Sequence, residues 1–194
     1  MRQLIFTTSL AAFFSLVSSQ AHSQRIAPLT YVNSVHVNYV RTWVAQVPVT
    51  DASQIRVTSP LDSFAMTTQY VDGLGRPIQT VIKGMTSLGK DLVSPVVYDE
   101  FGRSQYTYLP FAANATGGNT STTDGLFKLN PFQQDSSFSK AQYPGESYYY
   151  SQVFIEASPL NRVLESFAPG DSWVGTSGQS TASNRRSIKT EYLI

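Results

Sequence analysis

The stretch Tyr98-Asp99-Glu100-Phe101-Gly102-Arg103 repeats an earlier one, Val71-Asp72-Gly73-Leu74-Gly75-Arg76. Both read Asp, any residue, an apolar residue, Gly and Arg, and Arg103 follows Arg76 by 27 residues. Runs of β-favouring residues flank each copy, which is the pattern of a β-hairpin. A hairpin that recurs along a chain predicts an array, and arrays usually build walls or binding surfaces.

Matching positions of the two copies predict the same structural roles. The glycine is expected at positive φ, where a Cβ would clash. The aspartate is expected to accept hydrogen bonds from turn amides, and the arginine to reach back to it or to the neighbouring hairpin. The apolar residue is expected to pack inward. In this interpretation the motif pins a turn and neither binds a ligand nor catalyses. Its residues are Asp72, Leu74, Gly75, Arg76, Tyr98, Asp99, Phe101, Gly102 and Arg103.

The two copies lie near residues 67–83 and 94–112, and a degenerate third copy lies near 151–169. The third reads Leu160-Asn161-Arg162 where the others read Leu-Gly-Arg and Phe-Gly-Arg, and it has two extra residues between Glu156 and Arg162. Asn is the next-best residue after Gly at a left-handed turn position. We therefore expect Asn161 at positive φ.

Composition favours a fold that is mainly all-β. The chain has 194 residues, of which 12% are aromatic and only 14% charged, so it is unlike a disordered chain. We expect antiparallel hairpins with at most one short helix, near 131–141, with Pro131 in its first turn and Asn130 as its cap. Further strands are expected at 35–44, buried on both faces, at 54–58, and at 188–194. Residues 112–124 are rich in Asn, Thr and Gly and are expected to form a mobile surface loop with Asp124 at its edge.

Residues 1–23 have the pattern of a signal peptide, which leaves 24–194 as the β-rich domain. Arg2 precedes an apolar run, and Ala21-His22-Ser23 resembles a cleavage site. No later apolar stretch reaches the roughly 20 residues that a membrane span needs, so we expect no membrane insertion of the mature chain. The chain has 0 Cys, which is common in secreted bacterial proteins. Because the sequence stops inside a predicted strand, we expect a fragment of a longer exported protein.

The same counts argue against several function classes. Without Arg2 the chain has 13 basic and 13 acidic residues, which gives no positive surplus for nucleic acid. His36 is the single histidine after residue 23, and no Gly-x-Ser-x-Gly elbow is present. Zinc sites built from Cys and His are excluded by number. We therefore expect no enzyme activity, no metal and no cofactor.

Aromatic residues leave a second function class open. Tyr143, Tyr148, Tyr149, Tyr150 and Trp173 could form a platform on which a surface glycan stacks. The alternative is that these rings are ordinary β core and cross-strand pairs. A platform would indicate a β-sandwich adhesin or a carbohydrate-binding module.

Tyr98-Asp99-Glu100-Phe101-Gly102-Arg103 resembles the YD repeat of the Rhs family, whereas the first copy has Val71 in place of the tyrosine. With Tyr108-Leu109-Pro110-Phe111-Ala112 and the signal sequence, the chain looks like the N-terminal module, of no assigned function, that precedes the repeats in large surface proteins of Bacteroidetes. The resemblance covers roughly 36–194. It implies a β-sheet wound into a hollow shell that often encloses a C-terminal effector. The implied partner is the remainder of the same polypeptide.

Overall fold

The computed structural model describes residues 30–32, 35–119, 121–173 and 186–193. These residues form nine strands, one α-helix and two short 3₁₀ turns, so the predicted class, mainly all-β with one helix, is confirmed. The signal sequence lies outside the described residues. The elements are β1 (Asn38–Ala45), β2 (Phe64–Val71), β3 (Pro77–Ile82), β4 (Leu92–Pro95), β5 (Tyr106–Tyr108), β6 (Phe111–Ala112), α1 (Pro131–Gln142), β7 (Tyr150–Ile155), β8 (Val163–Phe167) and β9 (Ile188–Lys189).

The strands form two antiparallel sheets, one in the order β1-β2-β3-β4-β6 and the other in the order β5-β7-β8-β9. The first motif copy joins β2 to β3, and the third joins β7 to β8, so both are closed hairpins as predicted. The second copy lies where the sheets divide. Its two arms are joined by one bridge, Val96 with Thr107, and its returning arm is interrupted at Pro110, which has no N–H to donate.

The core of the first sheet follows the alternation expected of a half-buried strand. In β2 the side chains of Phe64, Met66, Thr68 and Tyr70 are buried, and those between them are more exposed. Tyr70 belongs to a cluster with Val81, Val93, Phe111 and Ala113. Burying a side chain of this size contributes about 1.5–3 kcal/mol, so this cluster fixes the register of the sheet.

Helix α1 connects the two cores. Phe138 packs on the cluster of the first sheet, and Phe132 packs on Tyr108 and Tyr150 in the second. The ring centroids of Phe132 and Tyr108 are 4.9 Å apart in an edge-on arrangement. The helix therefore holds the sheets together beyond the single bridge at Val96.

Several strand predictions are wrong. β1 is an edge strand with exposed side chains instead of a strand buried on both faces, because it pairs only with β2. Residues 54–58 form no strand: Gln54 ends a 3₁₀ segment at Ala52–Gln54, and the residues after it lead into a turn at 57–58. At the start of the 3₁₀ segment the Asp51 carboxylate accepts the N–H of Ser53 at 2.8 Å, a local bond that competes with strand pairing. β9 extends only over Ile188–Lys189 within the described residues.

The predicted surface loop at 112–124 is packed, which contradicts the prediction. It starts in β6, and Ala113 is fully buried. Ala113 N–H donates to the Asp91 carbonyl, and Asp91 N–H donates to that of Thr122, both at 2.8 Å. Asp124 bonds a buried lysine and is no free surface group. The segment is held because its backbone pairs with the residue that precedes β4.

The helix prediction is confirmed, since α1 begins at Pro131 and ends at Gln142. The predicted cap is wrong. Asn130 makes no side-chain cap, and its amide donates instead to the carbonyl of Gly117. Among the described residues no helix has the length and apolar character needed to cross a membrane.

Candidate functional site

The first motif copy forms a closed turn around one carboxylate. Asp72 Oδ1 accepts the backbone N–H groups of Leu74 and Arg76, each at 2.9 Å. Asp72 Oδ2 accepts Arg76 Nε at 2.8 Å. The backbone closes around these bonds, with Gly75 N–H on the Asp72 carbonyl at 3.0 Å. The predicted bonds from turn amides and from the arginine are both present.

The hydrogen bonds around the carboxylate of the second copy have the same lengths as those of the first to within 0.1 Å. Asp99 Oδ1 accepts the N–H of Phe101 at 2.9 Å and that of Arg103 at 2.8 Å, and Oδ2 accepts Arg103 Nε at 2.8 Å. Gln105 Nε2 adds one further bond to Oδ2, at 2.8 Å. Two stretches with partly different sequences therefore form the same type of turn, because both keep the Asp, Gly and Arg that make these bonds.

The third copy keeps the turn with changed residues. Arg162 Nε donates to both carboxylate oxygens of Glu156, at 3.0 Å each. The N–H of Leu160 goes to the hydroxyl of Ser158 at 3.2 Å, where the other turns use the aspartate. Ser158 in turn donates to Glu156 at 2.6 Å. The two extra residues thus supply a hydroxyl that replaces part of the role of Asp.

Backbone conformation confirms the predicted left-handed positions. Gly75 and Gly102 have φ of 78° and 77°, and Asn161 has φ of 51°. Asn161 is the only non-glycine residue at positive φ in the described part of the chain. A left-handed position costs other L-residues roughly 1–2 kcal/mol, which explains the residue types found there.

The pKa values of the turn carboxylates are lowered from their ordinary values. The Arg162 side chain, followed by Ser158, lowers the pKa of Glu156 to about 2. The backbone N–H of Arg76 is the main cause that holds the pKa of Asp72 below its ordinary value. Both carboxylates are therefore ionised at neutral pH and already bonded by donors of their own turn. Their chemistry is to hold a turn closed.

The arginines of the first two turns also contact the following turn. The guanidinium carbon of Arg76 lies 4.4 Å from the ring centroid of Tyr98, and its Nη1 lies beside Gly102. Arg103 Nη1 lies 3.4 Å from Asn161 Oδ1, to which it donates. One side chain thus closes its own turn and reaches the left-handed residue of the next turn.

A tyrosine that sequence reasoning missed continues this series. Tyr98 Oη donates to the carbonyl of Pro77, the residue after Arg76, at 2.9 Å. Tyr192 Oη donates to the carbonyl of Val163, the residue after Arg162, at 3.1 Å. Arg162 lies 4.7 Å from the Tyr192 ring centroid. Tyr192 therefore has the same place beside the third turn as Tyr98 has beside the first. In the sequence, the feature that pointed to this role was a tyrosine that follows the third copy of the motif, as Tyr98 follows the first.

The prediction that Leu74 and Phe101 pack inward is wrong. Their side chains are 80% and 72% exposed, and Leu160 at the matching position of the third turn is exposed as well. The reason is local: the N–H of each residue is held by the turn carboxylate or its serine, which places the residue at the apex. Arg103 covers part of Phe101, with its guanidinium carbon 4.9 Å from the ring centroid.

The predicted aromatic platform is divided between core and surface. Tyr149 and Tyr150 are buried, and Tyr150 packs on Tyr106, Tyr108 and Tyr148. Trp173 and Tyr143 are about half-exposed. Because two of the rings belong to the core, the predicted stacking residues Tyr148, Tyr149, Tyr150 and Trp173 do not present one open surface.

The remaining site predictions concern His36 and metal binding. His36 is exposed and lines a groove with Tyr39, Arg41, Tyr70 and Phe127. Within the ranges that the structure describes, no group of three or more His, Cys, Asp or Glu is arranged to hold a metal ion.

In the comparison with known proteins, the chain matches the model of one protein family. A family model described as a domain of unknown function, DUF6443, matches residues 41–187, a range that contains all three turns. No curated protein and no solved structure matches the chain.

Proposed function

We propose that this chain, which belongs to the DUF6443 family of unknown function, has a structural and non-enzymatic role. It forms the N-terminal part of an exported Rhs/YD-repeat protein of the Bacteroidetes type, where it starts a β shell. The observation that carries this proposal is that the arginine of each turn contacts a group later in the chain, which lies in the next turn for the first two arginines and just after β9 for the third. The series runs from Arg76 to Tyr98, from Arg103 to Asn161 and from Arg162 to Tyr192.

The series supports a stack more than a binding pocket. The carboxylates and guanidinium groups are used in closing turns and joining them, and the contacts run in one direction along the chain. Repeat arrays are stabilised in this way, by each unit and by its interface with the next. The third turn has the same partner in Tyr192 that the first has in Tyr98, so the pattern extends as far as β9.

Export and the partner are part of the same proposal. Arg2, the apolar run after it and Ala21-His22-Ser23 support removal of residues 1–23. The partner is the remainder of the same polypeptide, whose further hairpins enclose or present a C-terminal effector. N-terminal sequencing of the exported product should find Gln24 or a close neighbour, and an intact Met1 there would contradict export.

Hydrogen exchange tests the shell role directly. The product of the natural gene is compared with a chain of residues 1–194 alone. We expect the amides of β9 and Tyr192 to exchange at least about tenfold more slowly in the whole protein encoded by the gene, because further hairpins cover them there. Amides of β3, in the core of the first sheet, serve as the control and should not change. The proposal is contradicted if the protein encoded by the gene ends at residue 194. It is also contradicted if the β9 amides exchange at the same rate in both proteins.

A second candidate function, glycan binding, is favoured by the groove beside β1. The Tyr39 ring is 53% exposed, and the Arg41 guanidinium carbon lies 4.6 Å from its centroid. A ring and a guanidinium suit the apolar face and the hydroxyl groups of a sugar. Calorimetric titration with a panel of oligosaccharides tests this, with Tyr39→Ala as the variant and the exposed Tyr143→Ala as the matched control. Binding that Tyr39→Ala leaves unchanged, or no binding at all, excludes the groove.

A further inference from the structure

A lysine and an aspartate are buried against each other where the segment before β4 meets the segment before α1. Lys128 Nζ lies 2.7 Å from Asp91 Oδ2 and 2.8 Å from Asp124 Oδ1. It also donates to the carbonyl of Ser121 at 3.2 Å. The side chains of Lys128 and Asp91 are 1% and 0% exposed, and that of Asp124 is 29% exposed. An amine and one carboxyl group are thus buried together, with a second, partly exposed carboxyl group beside the amine.

The charges of this cluster do not balance. Two carboxylates face one ammonium, and removing each ion from water costs several kcal/mol. Buried groups often neutralise instead of remaining charged. Transfer of one proton from Lys128 Nζ to Asp91 would turn the ion pair into an amine and an acid, the two groups from which an amide forms. The remaining charge then lies on Asp124, the most exposed of the three. Burial of this kind is also what makes a lysine amine nucleophilic.

The Asp91 carboxyl group is held in position for attack. Its Oδ1 accepts the N–H of Gly84 at 3.0 Å, and its Oδ2 accepts that of Gly125 at 2.8 Å. After attack on Cγ the oxyanion would develop on Oδ1, where the N–H of Gly84 can stabilise it, while the N–H of Gly125 holds the oxygen that leaves. The backbone of Asp91 is fixed by its bonds with Ala113 and Thr122. Amine and acid are therefore kept together without the entropy cost of an encounter.

We propose that Lys128 and Asp91 form an intramolecular isopeptide bond, with Asp124 as the proton carrier. The lone pair of the neutral Nζ attacks Cγ of the protonated Asp91, and the Nζ–Cγ bond forms. Asp124 takes a proton from Nζ and delivers it to the departing hydroxyl group at Oδ2. The Cγ–Oδ2 bond breaks and one water molecule leaves. Ammonium and carboxylate become a neutral amide and water, so no oxidant or other reactant is needed.

The bond would act as a covalent clamp in a chain that cannot form a disulfide. The sequence has 0 Cys, so disulfides are excluded. Asp91 and Lys128 are 37 residues apart, and their link would tie β4 to the segment that enters α1. This inference does not depend on the proposed shell role, because it concerns only groups inside the domain.

Intact mass under denaturing conditions tests the bond. We expect the folded full chain to be lighter by one water molecule than its sequence requires. Lys128→Arg and Asp91→Ala should have the full mass. Lys83→Arg is the matched control: Lys83 Nζ donates to backbone carbonyls of Val57 and Ser59, so its loss should leave the water deficit unchanged. Asp124→Ala should slow closure by about 10²-fold or more, the usual contribution of a positioned proton carrier.

Tryptic peptides locate the bond. A linked Lys128 resists trypsin, so fragment 91–103 should appear joined to fragment 104–140. The joined species has the same mass as the linear peptide 91–140, but it has two N termini, and Edman degradation should release Ser104 in its first cycle. A succinimide at Asp72-Gly73 or Asp124-Gly125 also loses water, but it leaves Lys128 cleavable. Full mass in the folded wild type, or cleavage at Lys128, overturns the proposal even where a variant fails to fold.

Discussion

Nη1 of Arg76 lies 2.6 Å from the point that a Cβ on Gly102 would occupy. The glycine of the second turn is therefore needed for two reasons, its left-handed backbone and the space taken by the arginine of the first turn. Gly75 has the same left-handed backbone, but a Cβ there would meet nothing within 4 Å. Substitutions at the two glycines therefore distinguish the cost of a left-handed backbone within a turn from the cost of disturbing the contact between turns.

Gly102→Ala should destabilise the chain more than Gly75→Ala. Both variants meet the left-handed penalty of about 1–2 kcal/mol. Gly102→Ala must also move the guanidinium of Arg76 off the Tyr98 ring, which adds about 0.5–1 kcal/mol. Urea unfolding midpoints of the two variants and the wild type measure the difference. Equal midpoints would mean that the turns do not support one another.

A double-mutant cycle should detect coupling between Arg76 and Tyr98. Arg76→Gln and Tyr98→Leu, alone and together, should give a coupling energy of about 0.5–1 kcal/mol, as expected for a partly exposed cation–π pair. Tyr98→Phe is the control, because it keeps the ring and loses only the hydroxyl bond to Pro77. Additive effects of the two substitutions would contradict the arginine series.

Stability should depend on Glu156 below about pH 4.5. The folded-state pKa of Glu156 is about 2 against an ordinary value of 4.5, with Arg162 as the main cause. A lowered pKa contributes stability that is fully present above the unfolded value and is lost as pH falls through the folded one. The difference in unfolding free energy between wild type and Glu156→Gln should shrink between about pH 4.5 and about pH 2. Arg162→Gln should weaken the same pH dependence, and a pH-independent difference would refute the pairing.

Gln79→Leu should cost several times more than Gln69→Leu. Gln79 is fully buried, and its amide accepts the N–H of Lys128 at 2.8 Å and donates to the carbonyl of Lys128 at 3.1 Å. Leucine leaves both backbone groups buried without a partner, at about 1–3 kcal/mol each. Gln69 is exposed in β2, where a change usually stays within about 0.5 kcal/mol. Thermal or urea unfolding compares them, and a small loss for Gln79→Leu would show that water satisfies the gap.

The features that the sequence predicted correctly depend on local chemistry. The carboxylate bonds of Asp72, the left-handed φ of Asn161 and the start of α1 at Pro131 are fixed by residues within one turn of the chain. The first and third hairpins were predicted for the same reason. Short-range patterns of Asp, Gly, Asn and Pro carry this information directly.

The features that were missed depend on residues far apart in the chain. The exposure of β1 follows from its place at a sheet edge, which no pattern within the strand reveals. The burial of Lys128 depends on Asp91, which lies in another segment. The division of the sheets at Val96 and Thr107 depends on the pairing of β5 with β7. Propensity cannot supply such information, because a residue's environment is set by its partners.

The one-way series of arginine contacts also has a consequence for the order of folding during synthesis. A chain made from its N terminus contains each arginine before it contains the group that the arginine will contact in the following turn. Each hairpin can close on its own carboxylate as it emerges, but it becomes locked only when the next one arrives. Because Tyr192 is made last among these groups, its contacts with Arg162 and with the carbonyl of Val163 can form only after all three turns have been synthesised.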